Sequence, residues 1–160
     1  MRRYIAIALL LAACHKSNPT PTPAFNVSAD INNIPTTFNA IISVDTLSTS
    51  GTVYIVAHSD SANLTPLLEI TLSNTPLKTG TYPNTDTASG PNSSIGILGY
   101  TLWSDSISNF VQYFAINDTV TLTKVTRTWF SGTFQGTCEY SPDSIVSITN
   151  GQFTVGYPQQ

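Results

Sequence analysis

Short stretches in which apolar and polar residues alternate fill the chain from Phe25 onward, and turn-forming residues separate them. Thr52–His58 reads TVYIVAH, and residues 68–72 place three apolar side chains on one face of a strand. A period of two is typical of half-buried β-strands, and only 9% of the 160 residues are charged. The sequence therefore predicts an all-β domain of about nine or ten strands, either a single antiparallel β-sandwich or a partly closed β-barrel.

Two asparagine-containing pairs mark changes of direction. Asn32-Asn33 separates a strand predicted at 25–31 from a return strand predicted at 34–44, because Asn tolerates the positive φ that tight turns need. Asn150-Gly151 is either a type I′ turn or a bulge inside one bent strand.

The middle of the chain predicts a hairpin followed by another turn. Residues 95–103 and 107–116 are apolar stretches joined by Ser-Asp-Ser, and they are predicted to pair with each other. Asn117-Asp118 is predicted to turn the chain into the next strand at 119–124, since Asn and Asp are common turn residues.

A later strand, predicted within residues 128–140, has two distinct faces. Phe130, Phe134, Cys138 and Tyr140 share one face, while Trp129 falls on the other. Cys138 is therefore predicted to be a buried small hydrophobe, which is the usual state of a free cysteine inside a fold.

The first fourteen residues have a different character. Two arginines precede an apolar run that is too short to span a bilayer, which needs about 20 apolar residues, and the run ends in Leu11-Ala12-Ala13-Cys14. These four residues resemble the lipobox of bacterial lipoproteins. The resemblance implies cleavage before Cys14, a diacylglycerol on its sulfur and a further acyl chain on the new amino terminus. The alternative is an ordinary secretory signal with an unrelated cysteine.

Three parts of the chain follow from this. Residues 1–13 are predicted to be a lipoprotein signal peptide, residues 14–24 a lipidated tether, and residues 25–160 the all-β domain. The tether alternates proline with threonine at Pro19, Pro21 and Pro23, a composition typical of an extended, semi-rigid spacer.

Several later motifs add a second resemblance. The stretches DTVTLTK (118–124), FSGTF (130–134), ITNGQFTV (148–155) and PLKTGTY (76–82) resemble small Bacteroidetes-type lipoproteins of unknown function. This resemblance implies a bacterial envelope protein anchored in the outer membrane, with its periplasmic or surface side left open. It brings no known reaction and no known site residues.

Charge argues against nucleic acid as a partner. The whole chain has a net charge of −3, and without the two leader arginines four cations face nine acids. Phosphate binding needs several cations on one face, so nucleic-acid binding is not expected.

Catalytic and metal motifs are weak. His58 ends a predicted strand and is followed by Ser59 and Asp60, and a cryptic hydrolase would use His58 with Asp60. A strand running into a polar turn explains the segment equally well. The acids are scattered at predicted turns, so no metal site, no cofactor and no catalytic residue is predicted.

Trp103 and Trp129 provide the one hint of binding. Exposed aromatic rings among hydroxyls and amides suit stacking on sugars, whereas both rings could instead cap the core. The sequence thus predicts a lipid-anchored, non-enzymatic binding or structural module, with an envelope glycan or protein as its possible partner. A glycan-binding module that uses these tryptophans and a cryptic hydrolase are the alternatives.

Overall fold

A computed structural model describes residues 24–47, 52–59, 66–73, 76–84, 96–104 and 109–157, and only the backbone of 40–47 and 103–104. These segments form ten strands that pair antiparallel throughout. They are β1 (Asn26–Ile31), β2 (Ile34–Phe38), β3 (Ala40–Leu47), β4 (Thr52–His58), β5 (Leu67–Ser73), β6 (Gly80–Pro83), β7 (Gly96–Ser104), β8 (Asn109–Val125), β9 (Trp129–Ser141) and β10 (Ser144–Gly156). Within these six segments, no helix is long and apolar enough to cross a bilayer.

The ten strands form one strongly curled half-barrel sheet, which confirms the all-β prediction in its partly closed barrel form. Nine strands follow the order β2-β1-β10-β9-β8-β7-β5-β4-β3, and β6 pairs with β8 beside this path. The two edge strands, β2 and β3, are consecutive in the chain with only Asn39 between them. Because one residue joins the two edges, the sheet has to curl back on itself.

The single return strand predicted at 34–44 is therefore corrected to two strands. β2 pairs with β1 at one edge of the sheet, and β3 pairs with β4 at the other. A sequence pattern shows that both halves are extended but not that their partners differ. The turn before β2 is confirmed, since Asn32 and Asn33 have φ angles of 50° and 65°.

The concave side of the sheet holds the core. Alternate residues of the strands point inward, and the largest fully buried side chains are Phe38, Phe130, Phe153, Ile55, Leu68, Ile70, Leu72, Leu98, Leu122 and Ile148. Phe153 packs edge-on against Phe130 at 6.0 Å between ring centroids and lies 6.2 Å from Phe134. Cys138 is fully buried among them, as predicted.

β8 corrects the turn predicted at Asn117-Asp118. The strand runs through this point for 17 residues, with β7 alongside its first half, β6 alongside its second half, and β9 along the other side. The register with β9 shifts between Ala115 and Asn117. Ile116 is the extra residue of a β-bulge at this point, and Asn117 and Asp118 pair with β9 directly after it. The bulge changes the face that each later side chain occupies.

A second bulge resolves the alternatives left open for Asn150-Gly151. β10 continues as one strand through both residues, with a register shift between Ile148 and Gly151 and a φ of 52° at Asn150. A Cβ on Gly151 would lie 2.4 Å from the carbonyl oxygen of Phe134. Glycine is thus required for β10 to approach β9 this closely.

For orientation, the end of the half-barrel that carries the start of β1, the β8–β9 turn and the end of β10 is called the lower end. The end that carries the β1–β2 and β9–β10 turns is called the upper end.

Candidate functional site

A polar groove lies on the outer face of β8, β9 and β10. The groove is open to solvent and has a volume of about 480 Å³, within the range of small-molecule sites, roughly 300–1,000 Å³. Its lining residues are Thr119, Thr121, Thr133, Phe134, Gln135, Asn150, Gly151 and Gln152. Six of the eight have a hydroxyl or side-chain amide on strand positions that face away from the core, and these define the chemistry of the groove.

Strand register sets these side chains in rows. Thr133 lies opposite Thr121 on β8 and opposite Gln152 on β10, and Gln135 lies opposite Thr119. Strand alternation turns the intervening residues inward, so that Val120 is fully buried beneath them. The same two-residue period therefore builds the core and the groove from one set of strands.

The bulge at Asn150-Gly151 forms the recess in this surface. Gly151 has no side chain to fill it, and bulges increase the local bend of a sheet. Asn150 is fixed at the rim, because its amide Nδ2 donates a 2.8 Å hydrogen bond to Oδ2 of Asp30 on β1. The shape of the groove thus depends on the pairing of β1 with β10.

Most polar side chains in the groove are available to a ligand. Within the described part of the chain, Thr119, Thr133, Gln135 and Gln152 form no side-chain hydrogen bond. Farther down β8, Thr123 bonds to the backbone oxygen of Ser131 at 3.2 Å, and the two hydroxyls lie 3.3 Å apart. A neutral ligand with several hydroxyls could exchange donors and acceptors with the free groups.

The two tryptophans predicted as ligand contacts are not part of this groove. Trp129 begins β9 at the lower end, opposite Gly156, and is half-buried. The ammonium Nζ of Lys124 lies 4.9 Å from the centre of its ring, which places a cation over the aromatic face. The backbone of Trp103 lies opposite Phe110 near the other end of β8. The sheet therefore keeps the two tryptophans apart.

Among the other candidate residues, His58 can be placed. It ends β4 opposite Ala40 and Leu67, and it is 5% exposed. Asp60, its expected partner in a hydrolase, lies outside the described residues, as does Cys14. Next to His58, the amide of Ser59 donates to the Pro66 oxygen at 3.1 Å.

A buried carboxyl group is the feature that sequence reasoning missed. Asp118, 4% exposed, points to the inner face of β8 because the bulge before it reverses the alternation. Its Oδ2 accepts a 2.5 Å hydrogen bond from the backbone amide of Leu98, while Oδ1 has no partner in the segments described. The signal was present, since Asp118 lies in phase with Val120 and Leu122.

Hydrogen bonds around Asp118 link β8 to β7 and to the residue that follows β6. Asn84, just after β6, donates its backbone amide to the Asp118 carbonyl at 3.3 Å and its side-chain amide to the Ala115 oxygen at 3.4 Å. Leu98 bonds from β7 to the carboxylate itself. Asp118 thus completes the hydrogen bonding at a gap in the strand ladder.

Burial determines the protonation chemistry around Asp118. Desolvation raises the pKa of Asp118 to about 6. The hydrogen bonds from Leu98 and Asn84 lower this pKa, but their effect is smaller than that of desolvation. Desolvation, with a smaller effect from the Asp118 charge, raises the pKa of the Cys138 thiol to about 12. The thiol is therefore protonated and a poor nucleophile at neutral pH.

In the described segments, no group of three or more His, Cys, Asp and Glu side chains is placed to hold a metal ion. Comparison of the chain with protein-family models, curated proteins and solved structures found no match.

Proposed function

We propose that this protein is a lipid-anchored, non-enzymatic binding module of the bacterial envelope, which holds a neutral, hydroxyl-rich ligand of the glycan class in the polar groove. The observation that carries the proposal is the groove itself, in which free hydroxyl and amide side chains from three strands converge. Such groups both donate and accept hydrogen bonds, as sugar hydroxyls do.

The envelope part of the proposal is supported by the amino-terminal sequence. The leader arginines, the short apolar run and Leu11-Ala12-Ala13-Cys14 together match a lipoprotein signal. Several acyl chains on Cys14 would hold the protein firmly, since each buried CH₂ contributes about 0.8 kcal/mol.

The choice of a neutral glycan over a charged ligand follows from the groove lining. None of its eight residues carries an ionisable side chain, so a charged ligand would find no counter-charge there. The ring of Phe134 is 2% exposed and belongs to the core. Binding therefore depends on hydrogen bonds without an aromatic platform, and we expect weak affinity for single sugars and stronger binding to polymers through repeated contacts.

The glycan proposal is tested with the purified lipoprotein on immobilised envelope polysaccharides. Thr133→Val and Gln152→Leu each remove hydrogen-bonding groups at nearly constant shape, so we expect each to weaken retention several-fold. Thr128→Val, at an exposed threonine in the β8–β9 turn at the lower end and outside the groove lining, is the matched control and should leave retention unchanged.

Three results would contradict the proposal. Absence of retention on every polysaccharide would favour a structural module, and equal retention of the groove variants would place the site elsewhere. Turnover of a retained glycan that is lost in His58→Ala would favour the hydrolase alternative.

The anchor is tested separately by intact mass and membrane partitioning in a bacterial host. We expect a mature mass that begins at Cys14 and includes acyl chains, and we expect the acyl mass to be lost in Cys14→Ser. An unlipidated, freely soluble wild-type protein would contradict the anchor and leave the groove proposal in place.

A further inference from the structure

Positive charge is concentrated at the lower end of the half-barrel. Lys124 lies at the end of β8 and Arg127 in the β8–β9 turn, and both are exposed. Lys78 is exposed and precedes β6, whose first residue Gly80 lies opposite Leu122. These three are all the lysines and arginines in the described segments.

Local hydrogen bonds fix the backbone that presents these cations. The hydroxyl of Tyr82, a residue 3% exposed, donates to the Lys78 carbonyl at 2.9 Å and accepts from the Lys78 amide at 3.0 Å. In the β8–β9 turn, the Thr126 hydroxyl donates to the Trp129 carbonyl at 2.7 Å and accepts from the Trp129 amide at 3.0 Å. The backbone segments that carry these charges are therefore held in place by hydrogen bonds.

Aromatic side chains lie beside the cations at the same end. Phe25 is 50% exposed and its ring lies against Gly156, which is the strand partner of Trp129. Tyr157 is half-buried and follows directly, with its backbone amide bonded to the Thr128 oxygen at 3.0 Å. Aromatic rings mixed with lysine and arginine are typical of surfaces that rest on a membrane interface.

The opposite end has the opposite charge. Asp143 is exposed in the β9–β10 turn, Glu139 lies three residues before that turn, and Asp30 lies two residues before the β1–β2 turn. An anionic surface would attract the lower end and repel the upper one.

The tether leaves the domain at the lower end as well. Ala24 is the tenth residue after Cys14, which gives a reach of about 30 Å when the segment is extended at ~3.1 Å per residue. β9 runs 13 residues from the lower end to the upper end, about 43 Å at ~3.3 Å per residue. The lower end is therefore the one that the anchor holds closest to the lipid.

We propose that the lower end, through Lys78, Lys124 and Arg127 with Phe25 and Trp129, docks on the anionic surface of the membrane that holds the lipid anchor. This inference rests on the anchor at Cys14 proposed above. Trp129 then contacts the lipid interface and not a sugar. Thr133 and Gln135 of the polar groove, four and six residues along β9, lie about 13 and 20 Å farther along the strand at ~3.3 Å per residue. Docking would hold the groove above the headgroups and open to a ligand.

The mature lipoprotein, reconstituted into vesicles, tests this orientation. Single Thr128→Cys and Ile145→Cys variants, both at exposed positions at opposite ends, are labelled with a polarity-sensitive dye, since Cys138 is buried. In vesicles that contain phosphatidylglycerol, we expect a lipid-resident quencher to act several-fold more strongly on the label at position 128. The difference should shrink in pure phosphatidylcholine vesicles and at high salt, because salt screens charges beyond roughly 3 Å at 1 M.

Charge variants provide the matched control. Changing Lys78, Lys124 and Arg127 together to Gln should abolish the difference between the two labels, whereas Glu139→Gln with Asp143→Asn should preserve it. Equal quenching at both positions, or stronger quenching at 145, would overturn the inference while the anchor stands. Failure of the wild-type protein to remain with the vesicles at all would instead contradict the anchor.

Discussion

The two halves of β8 differ in what they show to solvent. Along the first half, the outer face carries Phe110, Phe114 and Ile116, which are 53%, 62% and 57% exposed. Along the second half, the outer face carries Thr119, Thr121 and Thr123. Both halves belong to one strand and pair with the same neighbour, β9.

The bulge between these halves is the source of the difference. Before it, even-numbered residues face outward, and after it odd-numbered residues do. The shift keeps Val111 inside together with Val120 and Leu122, although Val111 is out of phase with the other two, and it also turns Asp118 inward. A single inserted residue thus changes which side chains one strand exposes to solvent. In this strand it also buries a carboxyl group.

The largest expected effect concerns that carboxyl. The folded-state pKa of Asp118, about 6, lies above its ordinary value of 3.8, so the folded state binds the proton more tightly than the unfolded chain. This tighter proton binding adds up to about 3 kcal/mol to the free energy of unfolding. The contribution is complete below about pH 4 and is lost as the pH rises through 6. Urea unfolding from pH 4 to 8 should show this loss in the wild type but not in Asp118→Asn.

Asp143→Asn, at an exposed turn, is the control and should follow the wild type. Parallel pH curves for wild type and Asp118→Asn would show that the carboxyl is not desolvated, and the bulge would then have no electrostatic cost.

The next effect concerns the close approach of Gly136 on β9 to its strand partner Asp118. A Cβ on Gly136 would lie 2.5 Å from Cβ of Asp118 and 2.8 Å from the Asn117 oxygen, so Gly136→Ala should lower the free energy of unfolding by about 1–3 kcal/mol. At Gly99 the nearest atom is a flexible carboxylate oxygen of Glu69 at 3.2 Å. Gly99→Ala should therefore cost less, and a reversed order in urea unfolding would contradict this account.

A smaller effect is expected when the exposed chemistry of the first half is replaced. Phe114→Thr makes the outer face of the first half of β8 polar, like that of the second half. Because the ring is 62% exposed, the free energy of unfolding should change by no more than about 0.5 kcal/mol. Retention on a hydrophobic column should fall clearly. A loss of stability above about 2 kcal/mol would mean that the ring packs against another part of the chain.

The smallest effect concerns the lower end of the second half. Lys124→Met keeps the apolar stem but removes the charge over Trp129, so stability should fall by about 0.5 kcal/mol. In a Trp103→Phe background, the emission of Trp129 should also shift. Lys78→Met is the control, and an unchanged emission maximum in Lys124→Met would contradict the cation–π contact.

Much of the fold could be predicted from the sequence because the alternation of side chains is local. Strand class, strand number, the Asn32-Asn33 turn and the burial of Cys138 all follow from patterns shorter than fifteen residues. Partner choice is not local. Asn39 separates strands that pair at opposite edges. Asn117-Asp118 makes no turn, because β6, β7 and β9 pair with β8 and the strand continues through this point.

The candidate site was harder to predict for the same reason. Thr121, Thr133 and Gln152 are ordinary outward residues on three strands, and only register brings them into one row. Large aromatic side chains such as tryptophan are natural candidates for ligand contacts in a sequence. In the structure, however, the Lys124 ammonium lies over the Trp129 ring, and Trp129 does not line the groove.

The pairing of the first strand with the last has a consequence for how the molecule is made. β1 pairs early with β2, but its second partner exists only when β10 has been synthesised, and the bond from Asn150 to Asp30 spans 120 residues. Such distant contacts slow folding, and they leave strand edges open in a growing chain. Truncation before Ser144 would therefore remove the only strand besides β2 that pairs with β1 in the described sheet, and the damage would appear at the amino terminus.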